Sequence, residues 1–130
     1  MSIYILLLAM ILMHIEEDFC KQGVMAQMKQ KRYWEENYPN KLYKNDYKMA
    51  LFMHSLHWAI YIYIPVVIWF YFNGGLTDTA IMVVVLGVMF NTLIHYVIDD
   101  AKANDLTINL IQDQGMHLLQ ILIIWLLLQI

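Results

Sequence analysis

The sequence predicts an all-α membrane protein, built as a single domain of four membrane-spanning helices packed as a bundle. Hydrophobic residues make up 61% of the 130 residues and charged residues only 15%, which is more apolar side chain than an aqueous domain of this size can bury. The charged residues are also clustered, so that long stretches of sequence contain none. Four such stretches approach the length of a membrane span, which needs about 20 residues for ~30 Å of hydrocarbon.

The four predicted spans differ in how they reach that length. Residues 48–72 and 79–100 do so with largely apolar sequence, and Pro65 is tolerated inside the first of them. Residues 3–20 and 109–130 do so only if their polar ends are included. Those ends then carry ionisable side chains inside the membrane boundary, where such side chains face the bundle interior and indicate function.

The N-terminal apolar run is interpreted as the first span and not as a cleaved signal peptide. No basic residue precedes it, and it ends in Glu16, Glu17 and Asp18 where a signal peptide has small residues at its cleavage site. The single Cys20 cannot form an internal disulfide, so the sequence implies no oxidising compartment.

The connections between the spans set the predicted orientation. A glycine pair marks a tight turn at residues 73–78, a short link covers residues 101–107, and a basic segment covers about residues 21–46. The basic segment has an amphipathic pattern that predicts a helix on the membrane surface, broken at Pro39. Every Lys and Arg falls in or beside the basic segment or in the short link. The positive-inside rule therefore predicts that this side is cytoplasmic and that both termini lie outside.

The same features predict partners and location. The chain should be a multi-pass protein of the cell (cytoplasmic or inner) membrane. A net charge of −3 gives no basic surplus for nucleic acid. The basic residues of 21–48 favour anionic lipid among the surrounding membrane lipids. The apolar outer faces leave surface on which two copies could pair, and Gly87 would permit a close approach between helices in such a homo-oligomer.

All five histidines fall at the cytoplasmic ends of the predicted spans, and most are paired with a carboxylate. A pair at i,i+4 shares one face of a helix, with Cβ atoms about 5–6 Å apart. Three helices present such a His–Asp pair, and the fourth presents two histidines at i,i+3. The residues are His14 and Asp18, His95 and Asp99, Asp113 and His117, and the pair His54 and His57.

This pattern predicts a metal site formed by those eight side chains. Facing helices that project such pairs inward build di-metal sites in four-helix bundles. Imidazole and carboxylate ligands suit Zn²⁺, Fe²⁺ or Mn²⁺, and the lack of paired cysteines argues against a thiolate site. We expect one or two divalent ions, with zinc preferred. A hydrogen-bonded network or a proton relay is the alternative, and Lys21 and Lys102 are the nearest cations by sequence.

The motifs also resemble a known family. The motifs that carry the resemblance, which covers nearly the whole chain, are His14-x3-Asp18-Phe19-x2-Gln22, His54 in an apolar run, His95-x3-Asp99-x2-Lys102 and Asp113-Gln114-x2-His117. Together they resemble a family of small bacterial and phage membrane proteins catalogued as a domain of unknown function (number thirty-three-oh-seven). That family name implies no activity.

A more distant similarity links the His-x3-Asp pairs to membrane-bound metal-dependent hydrolases, and through them to the all-helical zinc-dependent phospholipase C and single-strand nuclease superfamily. The sequence departs from that superfamily in two ways. It has no N-terminal tryptophan ligand, and its last pair is Asp-x3-His in place of His-x3-Glu, which favours one or two ions over a three-zinc cluster. The resemblance implies as metal ligands His14, Asp18, His54, His95, Asp99, Asp113 and His117.

These features predict a membrane-embedded metal-dependent hydrolase acting at the cytoplasmic face on a phosphoester or a lipid-linked phosphate. Metal-activated water would attack the substrate, and Glu17 or Asp100 would serve as general base. Two alternatives stay open. One is a non-catalytic module that the metal staples together and that binds a partner or anionic lipid. The other is a cation or proton transport protein, which the scarcity of polar residues in the outer halves of the spans disfavours.

Overall fold

The computed structural model describes residues 1–130, and every regular element is helical. The all-helical prediction is therefore confirmed. A single turn of π-helix, Glu16–Cys20, continues the first helix, and a 3-10 turn, Lys41–Tyr43, precedes the fourth. The α-helices in chain order are α1 (Ile3–Ile15), α2 (Met25–Met28), α3 (Lys31–Asn37), α4 (Asp46–Asn73), α5 (Asp78–Ala103) and α6 (Leu110–Leu127).

Three helical stretches are long and apolar enough to cross a membrane. They are Lys41–Asn73, which joins the 3-10 turn to α4, then α5, and α6. They correspond to three of the four predicted spans. The helix α1 has 13 residues and a length of about 20 Å, short of the ~30 Å of hydrocarbon. Only together with the π-turn does it match the predicted span 3–20, so that span stays a prediction.

The helices α1, α4, α5 and α6 each pack against two of the others. The helix α4 contacts α1 on one side and α5 on the other, and α6 contacts both α1 and α5. The side chains between them form one apolar core, whose fully buried members are Leu6, Met10, Trp58, Ala59, Ile62 and Val66. The outward faces stay apolar as well, with Met89, Phe90 and Val97 of α5 all more than 60% exposed. Surfaces of this kind suit hydrocarbon and not water.

The helix ends follow local sequence signals. Ser2, Thr77 and Asn109 precede α1, α5 and α6, and each side chain accepts a hydrogen bond from the amide three residues on, which satisfies a donor that the first turn leaves free. Asn109 and Gln112 complete a capping box. Gly75 in the turn between α4 and α5 has φ +84°, a conformation that favours glycine.

The basic segment folds as two short helices and not as one surface helix. After the π-turn, α2 packs against α4, and α3 follows it closely. Pro39 lies just beyond the end of α3 at Asn37, as the sequence predicts, and Asn40 then caps the 3-10 turn through Leu42. The segment therefore packs back against the long helices, and this packing places Lys29 in the interior.

Gly87 has a role inside the chain. A Cβ atom there would overlap the phenol ring and hydroxyl of Tyr63 on α4, so the glycine lets α4 and α5 approach at this point. The Tyr63 hydroxyl also accepts a hydrogen bond from Asn91, at 3.3 Å. This internal contact accounts for the glycine without a second copy of the chain, and the predicted homo-oligomer remains a prediction.

We expect Gly87→Ala to lower the free energy of unfolding by about 1–3 kcal/mol, because overpacking forces Tyr63 or the backbone to shift. The matched control is Gly115→Ala in α6, where an added Cβ meets nothing within 4 Å and helix propensity alone favours alanine by up to about 1 kcal/mol. Thermal unfolding in detergent, followed by circular dichroism, measures both. Equal midpoints for the two variants would contradict the packing argument.

Candidate metal centre

The histidines and aspartates predicted from the sequence come together at one end of the long helices. Seven of the eight predicted ligands have side chains no more than 2% exposed, and the exception is His57, at 51%. The seven with buried side chains are His14 of α1, Asp18 of the π-turn, His54 of α4, His95 and Asp99 of α5, and Asp113 and His117 of α6.

Two groups of three residues have the spacing of a metal site. The first group is Asp18, His54 and His95, and the second is His95, Asp99 and His117. Within each group, one ligand atom per residue lies within 4.8 Å of the ligand atoms of the other two. Ligands about 2.0–2.3 Å from a zinc ion are themselves roughly 3–4 Å apart. The two groups share His95, and each could hold a divalent ion.

The carboxylate of Asp99 lies at the centre of the arrangement. Its Oδ1 is 3.2 Å from Nε2 of His117 and 3.6 Å from Nε2 of His95. Its Oδ2 is 3.3 Å from Nε2 of His54 and 2.6 Å from Nζ of Lys29. The Nε2 atoms of His54 and His95 also face each other at 3.2 Å. Three helices and one short segment therefore converge on a single carboxylate.

A chain of amide side chains places a proton on Nδ1 of His117. Asn91 donates its amide hydrogen to the Gly87 carbonyl, so its Oδ1 is free to accept from Nε2 of Gln120 at 3.2 Å. Oε1 of Gln120 then faces Nδ1 of His117 at 3.2 Å. Because an amide oxygen only accepts, Nδ1 carries a proton, and in the neutral ring the lone pair of Nε2 points toward Asp99. This is how ligating histidines are oriented in metal sites.

His14 makes a different contact from the one predicted. The indole N–H of Trp58 donates to Nδ1 of His14 at 3.0 Å. That lone pair is therefore occupied, and the proton of the neutral ring lies on Nε2, so neither nitrogen can accept a metal in this arrangement. The distance from His14 to Asp18, 3.6 Å, is longer than a hydrogen bond. His14 belongs to neither group of three, and its role as a ligand remains a prediction.

The imidazole rings are held by stacking as well as by hydrogen bonds. His95 contacts Trp58, with ring centroids 4.3 Å apart, and His117, with centroids 4.0 Å apart, and both pairs are nearly parallel. Such contacts restrict ring rotation, so the Nε2 atoms keep their common direction.

The two residues predicted as general bases lie at the edge of this centre. Oε1 of Glu17 pairs with Nδ1 of half-exposed His57 at 2.7 Å and lies 3.9 Å from Nδ1 of His54, so it stands behind the His54 ring. Oδ1 of Asp100 accepts a hydrogen bond from Asn104 at 2.6 Å, and Asp100 belongs to neither group of three. The catalytic role of both residues stays a prediction, as does ligation by His57.

The buried carboxylates at the centre outnumber the ammonium groups that reach them. Four carboxylates are buried, those of Glu17, Asp18, Asp99 and Asp113. Two ammonium groups reach them, Lys29 on Asp99 and Lys102 on Asp113, each at 2.6 Å. With neutral histidines, two negative charges remain. A divalent cation would neutralise them, and so would two imidazolium rings.

Unpaired buried atoms give a second indication of a cation. Oδ1 of Asp113 and Oε2 of Glu17 are buried without any hydrogen-bond partner, a state that costs about 1–3 kcal/mol for a polar group and more for a charged one. Oδ1 of Asp113 is also 3.4 Å from Nε2 of His117. The donor set of imidazole nitrogens and carboxylate oxygens therefore fits a divalent metal in both chemistry and charge.

Sequence reasoning named one of the two counter-ions and missed the other. Lys102 pairs with Asp113, but Lys21 turns outward, where it contacts Glu16 at 2.9 Å and the Tyr61 hydroxyl at 2.8 Å. The hydrogen bonds to Tyr61 and Glu16 raise the pKa of Lys21. The missed cation is Lys29, which the sequence assigns to a surface segment.

Comparisons of this chain with protein-family models, with curated proteins and with solved structures found no match. The resemblance to the family of unknown function, and the more distant one to the phospholipase C superfamily, therefore remain predictions.

We expect Gln120→Leu to weaken zinc binding by roughly 10- to 100-fold, because it removes the acceptor that fixes the proton of His117. The matched control is Gln129→Leu at the exposed end of the chain, where the amide only donates to the Trp125 carbonyl. Competition with a fluorescent zinc chelator measures both affinities. Equal affinities would show that Gln120 does not orient the ring.

Proposed function

We propose that this chain is a membrane-embedded metal-dependent hydrolase of phosphoester or lipid-linked phosphate substrates. The observation that carries the proposal is the convergence of three Nε2 atoms, from His54, His95 and His117, on the buried carboxylate of Asp99. Side chains from three separate helices meet there with their ligand atoms directed inward. Such convergence is expected of a metal site and is costly for a structure that needs none.

The proposed ligands are the residues of the two groups, Asp18, His54, His95, Asp99 and His117, and they would hold one or two divalent ions, with zinc preferred. A metal of this kind supplies Lewis acidity toward a phosphoryl oxygen and lowers the pKa of a bound water. Glu17 is our candidate general base, because one of its oxygens is free of hydrogen bonds close to this centre. Asp100 is held by Asn104 and receives no chemical role in the proposal.

The proposed setting is a four-helix transmembrane bundle of α1 with its π-turn, α4, α5 and α6, with both termini outside. All eight basic residues would then lie on the cytoplasmic side together with the metal centre. A centre at that depth favours a phosphate presented by the membrane. Lys102, which lies beside the centre, would favour an anionic substrate.

A second candidate function is a non-catalytic module stapled together by metal. The observation that favours it is the burial of the centre, since His95, Asp113 and His117 have side chains that are 0% exposed. In that case loss of metal would unfold the protein and no substrate would be turned over. The transport hypothesis has less support, because Leu6, Met10 and other buried core residues fill the space between the helices away from the centre.

We expect detergent-purified protein to contain about one or two divalent ions per chain by elemental analysis, and Asp99→Asn to contain one ion fewer, because Asp99 is a ligand of the second group only. Turnover of a chromogenic aryl phosphodiester should fall by at least about 100-fold in the same variant, because the central ligand is lost. The control Asp105→Asn removes an exposed carboxylate from the following loop and should change neither value. Full activity in a variant without metal would refute the hydrolase. If loss of metal unfolds the protein and no sample, the wild type included, shows activity, the stapled module is favoured.

The proposed topology can be tested with the single native cysteine, which is exposed at the end of the π-turn. In intact cells, a membrane-impermeant maleimide should leave Cys20 unlabelled, because it lies on the cytoplasmic side. A Cys20→Ser, Gly74→Cys variant places the thiol in the turn between α4 and α5 and should be labelled. After the cells are opened, both proteins should react. The reverse pattern in intact cells would invert the proposed orientation.

A further inference from the structure

Lys29 is the one basic residue of the segment 21–46 that is buried, with its side chain 8% exposed. Its ammonium reaches across 70 positions of sequence to Oδ2 of Asp99, at 2.6 Å. The neighbouring Lys31 and Arg32 stay in solvent and pair with glutamates of their own helix. A buried ammonium has to find a counter-charge. The one that Lys29 finds is the carboxylate of Asp99, which belongs to the second candidate metal group and lies 3.3 Å from His54 of the first.

The turn that carries Lys29 is held in place by a small set of contacts, mostly from one residue. Asn104, just beyond α5, donates to the Lys29 carbonyl at 3.1 Å and accepts from the Lys31 amide at 2.7 Å. Asp100 fixes the same Asn104 side chain at 2.6 Å. On the other side, the indole of Trp34 donates to the Met28 carbonyl at 2.6 Å. Asp100 therefore positions Asn104, the residue that holds this turn.

We propose that Lys29 is a tethered cation that competes with the divalent metal for Asp99, so that docking of the Lys29 turn and loading of the metal oppose each other. The inference rests on the proposed function, because it takes Asp99 as a metal ligand. It concerns the regulation of the same centre and assigns Lys29 no part in the chemistry.

The physical reason for the competition is that two cations bound to one carboxylate repel each other. A divalent ion on Oδ1 of Asp99 would lie within a few ångströms of an ammonium on Oδ2, in surroundings of low dielectric constant where like charges repel strongly. Each cation therefore weakens the binding of the other. By linkage the effect is reciprocal: bound metal must weaken docking of the Lys29 turn by the same factor by which the docked turn weakens metal binding.

Lys102 does not share this behaviour. It lies on α5 itself and reaches Asp113 at the start of α6, 11 positions away, with its side chain 29% exposed. Withdrawal of Lys102 would require no movement of a chain segment. Lys29, in contrast, belongs to a short connecting segment that covers the centre, so its release would uncover Asp99 from that side. The segment therefore acts as a cover whose position depends on metal loading.

The first arm of the test measures zinc affinity in detergent by competition with a fluorescent chelator. Lys29→Met should bind zinc more tightly than the wild type, by on the order of tenfold, because the competing charge is gone. Lys31→Met is the matched control, an exposed lysine two positions away whose side chain pairs with Glu35, and it should bind as the wild type does. Lys29→Arg keeps the charge and should stay within a few-fold of the wild type.

The second arm measures hydrogen exchange at the Lys31 amide, which is protected by Asn104. Saturating zinc should increase exchange of this amide in the wild type by the same factor by which Lys29→Met tightens zinc binding. In Lys29→Met, zinc should leave the exchange of this amide unchanged. Exchange in the middle of α4 serves as the reference for global opening.

The outcomes separate this inference from the proposed function. If the wild type and Lys29→Met bind zinc equally, or if zinc leaves the Lys31 amide as protected as before, the competition is refuted while the metal site stands. If Lys29→Arg gains as much affinity as Lys29→Met, charge is not the cause and the inference also fails. If no variant binds zinc, the proposed function fails and this inference fails with it.

Discussion

The buried carboxylate of Asp99 is the constraint on which the arrangement of the chain depends. A charge in that position has to be neutralised by groups from the surrounding elements, and here α4, α5, α6 and the basic segment each supply one. The supporting contacts follow from this requirement. Gln120 and Asn91 orient His117, the indole of Trp58 stacks on His95, and the apolar core excludes water from the other side.

The sequence predicted the helices and the clustering of the site because both depend on local patterns. Spans such as α4 and α5 are visible as long apolar runs, and three of the four predicted spans correspond to helices of sufficient length. Pairs such as Asp113 and His117 lie on one helix face whatever surrounds them. Alternating helix directions then bring the chemical groups to one end, which is where the structure has the candidate metal groups.

The remaining features depend on contacts that no local pattern reveals. Lys29 belongs to a basic segment that resembles any solvated surface, and only its packing against α4 brings it to Asp99. Trp58 has the sequence context of an ordinary core residue, yet it occupies the lone pair that His14 would need for a metal. The π-turn at Glu16–Cys20 breaks the regular helical register at the end that has the candidate metal groups. Such turns often occur at functional sites, and composition gives no sign of this one.

The crowding of ionisable groups at one end of the helices also bears on how the chain would enter its bilayer during synthesis. Between residues 49 and 98 the only charged side chain is Asp78, in the turn between α4 and α5. With the proposed orientation, this carboxylate is the one charged side chain between α4 and α5 that must be translocated, and acidic residues contribute little to the charge bias that sets orientation. The apolar hairpin of α4 and α5 can therefore enter lipid before the polar contacts at one end of the helices form.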